Sequence, residues 1–287
     1  MQRRTPALVL AAALSLGTLA ACGSSAGSDS SSSDTSAPKA DKTTTTAAAE
    51  PLQILVGNDD GYAAEGIDML VKGLQTLDDV EITVVAPLTQ QSGQGGKTTE
   101  GELEVTDVEL KSGYPAKAVD GYPADAINVA FDELGVEPDV VITGINEGQN
   151  VGPLVDVSGT VGAARAGVAH GVPALATSQG TDAFDYESAW PFILDWITDR
   201  REALQSGDAP VEVMSMNIPS CKAGRIRGLL EVEVGTDGTD ALGMQDCVST
   251  LPEDGLTTDV KAFLNGFVSL TEVPAEPATP PEVTPAG

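Results

Sequence analysis

The sequence predicts an α/β domain with a largely parallel sheet and helices on both of its faces. Short apolar runs alternate with longer amphipathic runs, and turn residues such as Pro87 and Gly144 close two of the apolar runs. Strands that alternate with helices in this way are typical of parallel sheets with helical crossovers. Residues 51–273 are roughly 220 in number, which is enough for one sizeable domain of this class.

The predicted elements follow one another in a regular order. They are strand 52–56, helix 66–77, strand 80–86, helix 124–134, strand 139–143, helix 160–170, strand 172–177 and helix 188–204. The first helix is supported by apolar residues that recur on one helical face, at Ile67, Leu70, Val71, Leu74 and Leu77. After residue 210 the pattern favours strands, at 211–218 and 229–234, so we expect a smaller, strand-rich C-terminal portion.

The two ends of the chain differ in composition from the predicted domain. Residues 1–21 combine a basic start with a short apolar run, which is typical of a signal peptide, and the run ends in Leu-Ala-Ala-Cys at Cys22, a pattern that resembles a lipobox. Residues 22–50 are rich in Ser, Thr, Ala and Gly, so we expect a disordered tether. Residues 274–287 contain five prolines and are predicted to be a disordered tail. The expected product is an exported protein, lipid-anchored at Cys22 on the outer face of a bacterial membrane.

The charge of the chain disfavours one class of function, and its cysteines permit a disulfide. The chain has 43 acidic and 15 basic residues, and its net charge of −28 argues against binding to nucleic acid. We expect no contact with the membrane except through the lipid anchor. Cys221 and Cys247 remain as an even pair in an exported protein, so a disulfide is one interpretation and two separate buried thiols are the other.

The most informative motif is Asn58-Asp59-Asp60-Gly61, which directly follows the first predicted strand. Ligands of open α/β sheets bind at the carboxyl ends of strands, where this motif lies. Three further polar segments follow strands or open a helix, and they contain Ser92, Asn146 and Ser158-Gly159-Thr160.

These segments can be interpreted functionally or structurally. Two carboxylates, a hydroxyl and an amide oxygen make an oxygen-only ligand set, which suits Mg²⁺, Mn²⁺ or Ca²⁺. A helix start at residues 158–160 offers free N–H groups to a phosphate. Each piece also has a purely structural interpretation: Ser92 as a turn former, Asn146 as a turn residue and Ser158 as a helix N-cap.

Several ordered motifs resemble the SurE family of survival-protein 5'/3'-nucleotidases. The matching stretches are Asn58–Ile67, Gly121–Asp125, Gly144–Asn150, Ser158–Ala164, Ser215–Pro219 and the late Thr258-Asp259 and Gly266–Ser269. The resemblance covers residues 52–273. It implies a Rossmann-like, three-layer α/β fold and a homodimeric or tetrameric assembly.

The resemblance also implies an activity and roles for individual residues. One divalent metal ion, Mg²⁺ or Mn²⁺ with Ca²⁺ as an alternative, would be held by Asp59, Asp60, Ser92 and Asn146. The phosphate of a nucleoside monophosphate would lie near Asn58, Ser158, Gly159 and Thr160. Asp59 and Asp60 are the expected catalytic residues of a metal-dependent phosphomonoesterase.

Two other functions remain open at this point. One is an exported nucleotide- or anion-binding lipoprotein that kept the pocket but lost catalysis. The departure from the family pattern at Val157, where a tyrosine is common, leaves this alternative open. The other is a phosphatase that uses Asp59 as a covalent nucleophile. Such phosphatases usually have two aspartates separated by one residue, whereas Asp59 and Asp60 are adjacent.

Overall fold

The computed structural model describes residues 50–183 and 185–278, and these residues build a sheet of nine strands with helices on both faces. The strands are β1 (Leu52–Gly57), β2 (Val80–Pro87), β3 (Val105–Glu109), β4 (Pro115–Val119), β5 (Val140–Glu147), β6 (Ala174–Gln179), β7 (Val213–Ile218), β8 (Leu229–Glu231) and β9 (Val268–Val273). The α-helices are α1 (Glu65–Leu74), α2 (Pro123–Asp132), α3 (Gly159–Ala169), α4 (Trp190–Ser206) and α5 (Asp259–Leu264).

The strand order in the sheet is β3-β4-β2-β1-β5-β6-β7-β9-β8. The six strands from β4 to β7 run parallel, whereas β3 and β9 pair antiparallel with β4 and β7. From β1 the chain first builds outward through β2 and then returns to build in the other direction from β5. The order of the sheet therefore reverses between β1 and β5.

The two faces of the sheet bury separate apolar layers. In β1, Ile54 and Val56 point into a core that also contains apolar residues of α1 and α4. Leu55, between them, points into the opposite core, which contains residues of α2 and α3. Alternation along a strand places successive side chains on opposite faces, so a continuous apolar strand is what a sheet covered on both sides requires. The predicted three-layer α/β fold is confirmed.

The boundaries of several elements differ from the sequence-based expectation. Strand β5 was expected to end at Thr143 but continues to Glu147, so Asn146 lies in the strand instead of in a following loop. Gly144 adopts φ +123°, and the pairing with β6 shifts register there before it resumes at Asn146. A local irregularity of this kind, which glycine permits, bends a strand without ending it. Strand β6 begins at Ala174, two residues later than expected.

The C-terminal portion extends the same sheet through β9 and β8 and is held by two cross-links. The buried Asp259 carboxylate accepts hydrogen bonds from the backbone N–H groups of Gly152 (2.7 Å) and Gly235 (2.7 Å). A disulfide joins Cys221 and Cys247, whose Cα atoms are 5.7 Å apart. The strand expected at residues 229–234 is shorter, since β8 ends at Glu231.

The predicted signal peptide, Cys22 and residues 22–49 of the expected tether lie outside the described residues, as do residues 279–287 of the expected tail. The domain boundaries at both ends therefore stay predictions. Within the described part of the chain, no helix combines the length and apolarity needed to cross a membrane.

Candidate active site at the switch point of the sheet

The candidate site lies where the strand order reverses. Asn58, Asp59 and Asp60 leave the carboxyl end of β1, and Asn146 lies near the carboxyl end of the neighbouring β5. In open α/β sheets the connections from two such strands run to opposite faces and leave a crevice between them. The topology thus brings together polar residues that are far apart in sequence.

Asp59 is buried against the start of α3. Its side chain is 3% exposed, and its Oδ1 accepts a hydrogen bond from Thr160 Oγ1 at 2.6 Å. The backbone of Gly159 and Thr160 also lies close to this carboxylate. Burial raises the pKa of Asp59, and the hydrogen bond from Thr160 and the neighbouring backbone act in the opposite direction. The carboxylate is therefore held in a defined orientation at the positive end of a helix.

Asp60 lies beside Asp59 and is more accessible. Its Oδ2 accepts a hydrogen bond from Glu147 N at 3.2 Å. Burial raises the pKa of Asp60 to about 6, and the charge of Asp59 adds to this increase. Two neighbouring carboxylates with raised pKa values are a pair that a cation would stabilise, because positive charge favours the ionised form of both.

Asn58 and Asn146 each use the side-chain amide nitrogen to hold a local turn. Asn58 Nδ2 donates to Gly61 O at 2.9 Å, and Asn146 Nδ2 donates to Gly148 O at 2.8 Å. Asn58 Oδ1 is buried and has no hydrogen-bond partner among the described residues. Both side chains therefore present their oxygen atoms away from the turns that they stabilise.

One cavity of about 340 Å³ connects several of the predicted site residues. Asp59, Ser92, Asn146 and Ser158 line it together. Ser92 is exposed, and Gln90 Nε2 lies 2.6 Å from its Oγ. Asn58, Asp60, Gly159 and Thr160 are not among the residues that line this cavity. Its volume lies at the lower end of the range for small-molecule pockets.

The start of α3 lies against the carboxylate of Asp59, whereas the sequence predicts that it contacts a phosphate. Ser158 is the N-cap of α3, and its Oγ accepts a hydrogen bond from Val161 N at 3.2 Å. Gly159 and Thr160 lie with their backbone against the Asp59 carboxylate and lower its pKa. In this structure they support the carboxylate, so the predicted contact of residues 158–160 with a phosphate stays a prediction.

The donor set fits a hard divalent cation. Within the described residues, no group of three His, Cys, Asp or Glu side chains comes together as a potential metal site. A cation at this edge would therefore combine the two aspartates with neutral oxygens, for which Ser92 Oγ and Asn146 Oδ1 are available. Carboxylate, hydroxyl and amide oxygens are the ligands that Mg²⁺, Mn²⁺ and Ca²⁺ prefer.

We predict that metal binding weakens as the pH falls through about 6. Because the pKa of Asp60 is raised to about 6 in the folded protein, this carboxyl must release a proton before it can bind a cation. In the metal-free protein, the raised pKa means that the folded state favours the protonated form of Asp60. The contribution of Asp60 to the free energy of unfolding therefore decreases as the pH rises from 3.8 through about 6. The increase in Tm on adding Mn²⁺ should therefore be larger at pH 7.5 than at pH 5.

Asp60→Asn provides the control for this pH dependence, since it removes the titrating group. The variant should show a smaller Mn²⁺-induced Tm increase at pH 7.5 and a weaker change between the two pH values. Equal Tm increases of the unaltered protein at both pH values would contradict the assignment of Asp60 as a ligand.

Other residues of the cavity carried no signal in the sequence. Thr181 follows β6 and Leu242 belongs to a C-terminal loop, and both line the cavity. Neither residue is part of a periodic pattern or a charged cluster. Asn150 was named only as the end of a motif; its Nδ2 donates to Ser178 Oγ at 2.8 Å and its N–H to Asn217 Oδ1 at 2.7 Å.

Comparison with known proteins places the chain among survival proteins. The family model described as Survival protein SurE matches residues 54–241, well over half of the chain. A 5'-nucleotidase SurE from Polaromonas naphthalenivorans is 32% identical over 249 residues, which cover 77% of this chain and 90% of the relative. The crystal structure of a SurE protein from Aquifex aeolicus superposes with a TM-score of 0.62 at 27% identity, covering 78% of this chain and 94% of that one.

The similarity is higher over shorter stretches. A 5'-nucleotidase SurE from Sulfurimonas denitrificans is 37% identical over 173 residues, or 58% of this chain. That match spans 64% of the relative's own length. The match to a 5'-nucleotidase SurE from Methanopyrus kandleri spans 49% of that relative's length. The chain thus covers less than two thirds of these two relatives.

Proposed function

We propose, since this chain belongs to the SurE family, that it is a metal-dependent phosphomonoesterase that hydrolyses nucleoside monophosphates to nucleoside and phosphate. The observation that carries the proposal is that Asp59, Ser92 and Asn146 line one cavity at the switch point of the sheet, with Asp60 directly beside Asp59. Assembly into a homodimer or tetramer is part of the same proposal.

The roles of the residues follow from their positions. A divalent cation held by Asp59, Asp60, Ser92 and Asn146 would neutralise charge on the phosphoryl group. Asp59 borders the cavity, and its carboxylate is oriented by Thr160 Oγ1, so it can accept a proton from an attacking group or orient that group. Asp60 lies beside it and would act as a second carboxylate ligand. Ser158 lines the cavity at the start of α3, where the helix dipole favours phosphate.

Removal of the metal tests the proposal. Phosphate release from a panel of nucleoside monophosphates should stop in excess chelator and return when Mg²⁺ or Mn²⁺ is added, because the two aspartates cannot neutralise a phosphoryl group by themselves. Monophosphates should be cleaved faster than phosphodiesters. If the metal-loaded protein binds nucleotides but releases no phosphate, the alternative of an exported binding protein is correct. Full activity in excess chelator would contradict the metal site.

We also propose that the protein is exported and anchored to the outer face of a bacterial membrane through a lipid on Cys22. The proposal is supported by the lipobox-like sequence before Cys22 and by the polar stretch after it. Stable attachment requires two or more acyl chains, since a single chain binds membranes only marginally. Intact-mass spectrometry of the native protein should find Cys22 as a diacylglyceryl-modified N-terminus, and Cys22→Ala should lack the modification. An unmodified Cys22 would contradict the anchor.

A further inference from the structure

One wall of the cavity comes from a segment that the proposed chemistry does not use. This segment, residues 236–248, follows β8 and ends just after Cys247; we call it the stapled segment. It carries Leu242 and Met244, which are 80% and 74% exposed. Leu242 lines the same cavity as Asp59 and Ser158, whereas Met244 does not.

The stapled segment is held in place at three points. The disulfide ties Cys247 to Cys221, three residues after β7. Gln245 Oε1 accepts a hydrogen bond from Ser220 N at 2.9 Å. Ala241, next to Leu242, is buried, and its carbonyl oxygen accepts a hydrogen bond from Gln149 Nε2 at 3.1 Å. Leu242 is thus an exposed apolar side chain on a backbone that is fixed on both sides.

The lining of the cavity combines polar residues with three large apolar ones. Asp59, Ser92 and Ser158 supply charged and hydroxyl groups to the lining. Leu154 and Val157 line the cavity with Leu242, and Val157 is 54% exposed. A ligand that filled such a cavity would combine an anionic group with an attached apolar or flat group, because pockets bind by burying apolar area and placing a few polar contacts.

We propose that Leu242 is a specificity-determining residue that packs, together with Val157, against the nucleobase or ribose of a bound nucleoside monophosphate. The proposal rests on the proposed function, since it assumes that the phosphate lies beside Asp59, Ser92 and Ser158. The disulfide acts as a positioning device, because it holds the stapled segment against the mouth of the cavity.

The first test compares two substrates that share a phosphate. AMP carries a nucleoside, whereas glycerol phosphate carries only a three-carbon chain and lacks both base and ribose. In the metal-loaded protein, Leu242→Ala should raise KM for AMP by roughly tenfold, the loss expected for a buried leucine contact, with little change in kcat. KM for glycerol phosphate should stay the same. Met244→Ala is the matched control, since this residue is similarly exposed on the same segment but does not line the cavity.

The second test addresses the disulfide. Reduction with a phosphine should raise KM for AMP in the unaltered protein, and kcat/KM for glycerol phosphate in the same sample should be retained, which shows that the fold is intact. If the disulfide acts through Leu242, reduction should have little further effect in the Leu242→Ala variant, because two changes to one contact are not additive. Full additivity would overturn the positioning role of the disulfide.

A third measurement separates failure of this inference from failure of the proposed function. It is the affinity of the same variants for AMP and for inorganic phosphate, determined by calorimetry. If no substrate is hydrolysed but Leu242→Ala weakens AMP binding and leaves phosphate binding unchanged, the phosphatase proposal fails and the Leu242 contact stands. If hydrolysis occurs and Leu242→Ala leaves KM and affinity for AMP unchanged, the contact is wrong. An equal increase in KM for AMP and for glycerol phosphate would also overturn the proposed contact.

Discussion

Replacement of Asp60 by asparagine is expected to lower phosphatase activity by roughly a thousandfold or more, and Asp59→Asn is expected to do the same. The substitution keeps the shape of the side chain and removes its negative charge, so the cation would lose a charged ligand. At Asp59 it also disturbs the hydrogen bond from Thr160 Oγ1 that orients the carboxylate. The measurement is kcat/KM for AMP at saturating Mn²⁺.

Asp107→Asn is the matched control for these two variants. Asp107 is exposed on β3 and pairs with Lys117, far along the sheet from the switch point. It should retain full activity, since exposed ion pairs contribute little to stability. Full activity of Asp60→Asn would show that the site is assigned to the wrong residues, and it would leave the fold unaffected.

Gly66→Ala is expected to destabilise the domain by about 3 kcal/mol, at the upper end of the cost of overpacking a core. Gly66 is buried in the first turn of α1, where a Cβ atom would overlap the carbonyl oxygen of Ile145 in β5. The obstacle is backbone, so α1 must move away from the sheet. Thermal unfolding should show a decrease in Tm of roughly 6–12 °C. Activity should fall as well, because α1 follows the Asp59-Asp60 turn.

The control for this prediction is Gly255→Ala. No atom lies within 4 Å of the position that a Cβ would take there, and its backbone does not require glycine. The change in the free energy of unfolding should be within about 0.5 kcal/mol. Equal Tm values for Gly66→Ala and the unaltered protein would contradict the close packing of α1 on β5.

The main sheet and its helices could be predicted because each element carries its own pattern. Strand β1 is apolar on both faces, and Ile67, Leu70 and Leu74 recur at helical spacing in α1; all are buried as expected. Strands β3 and β4 were missed. Both are short: β3 is the exposed edge strand, and β4, next to it, begins with Pro115. Their pairing therefore depends on neighbours that local pattern does not reveal.

The sequence by itself determined the class of the fold and named the residues of the candidate site. Asp59, Asp60, Ser92 and Asn146 were named because carboxylate and neutral oxygens after strands suit a cation, and several of them do meet at one cavity. Only the tertiary structure decided which groups touch. Asp59 and Thr160 are separated by 101 residues, and Leu242 lies in a segment without periodicity. Contacts of this kind depend on strand order and on a disulfide that closes distant parts of the chain, and these are properties of the assembled sheet.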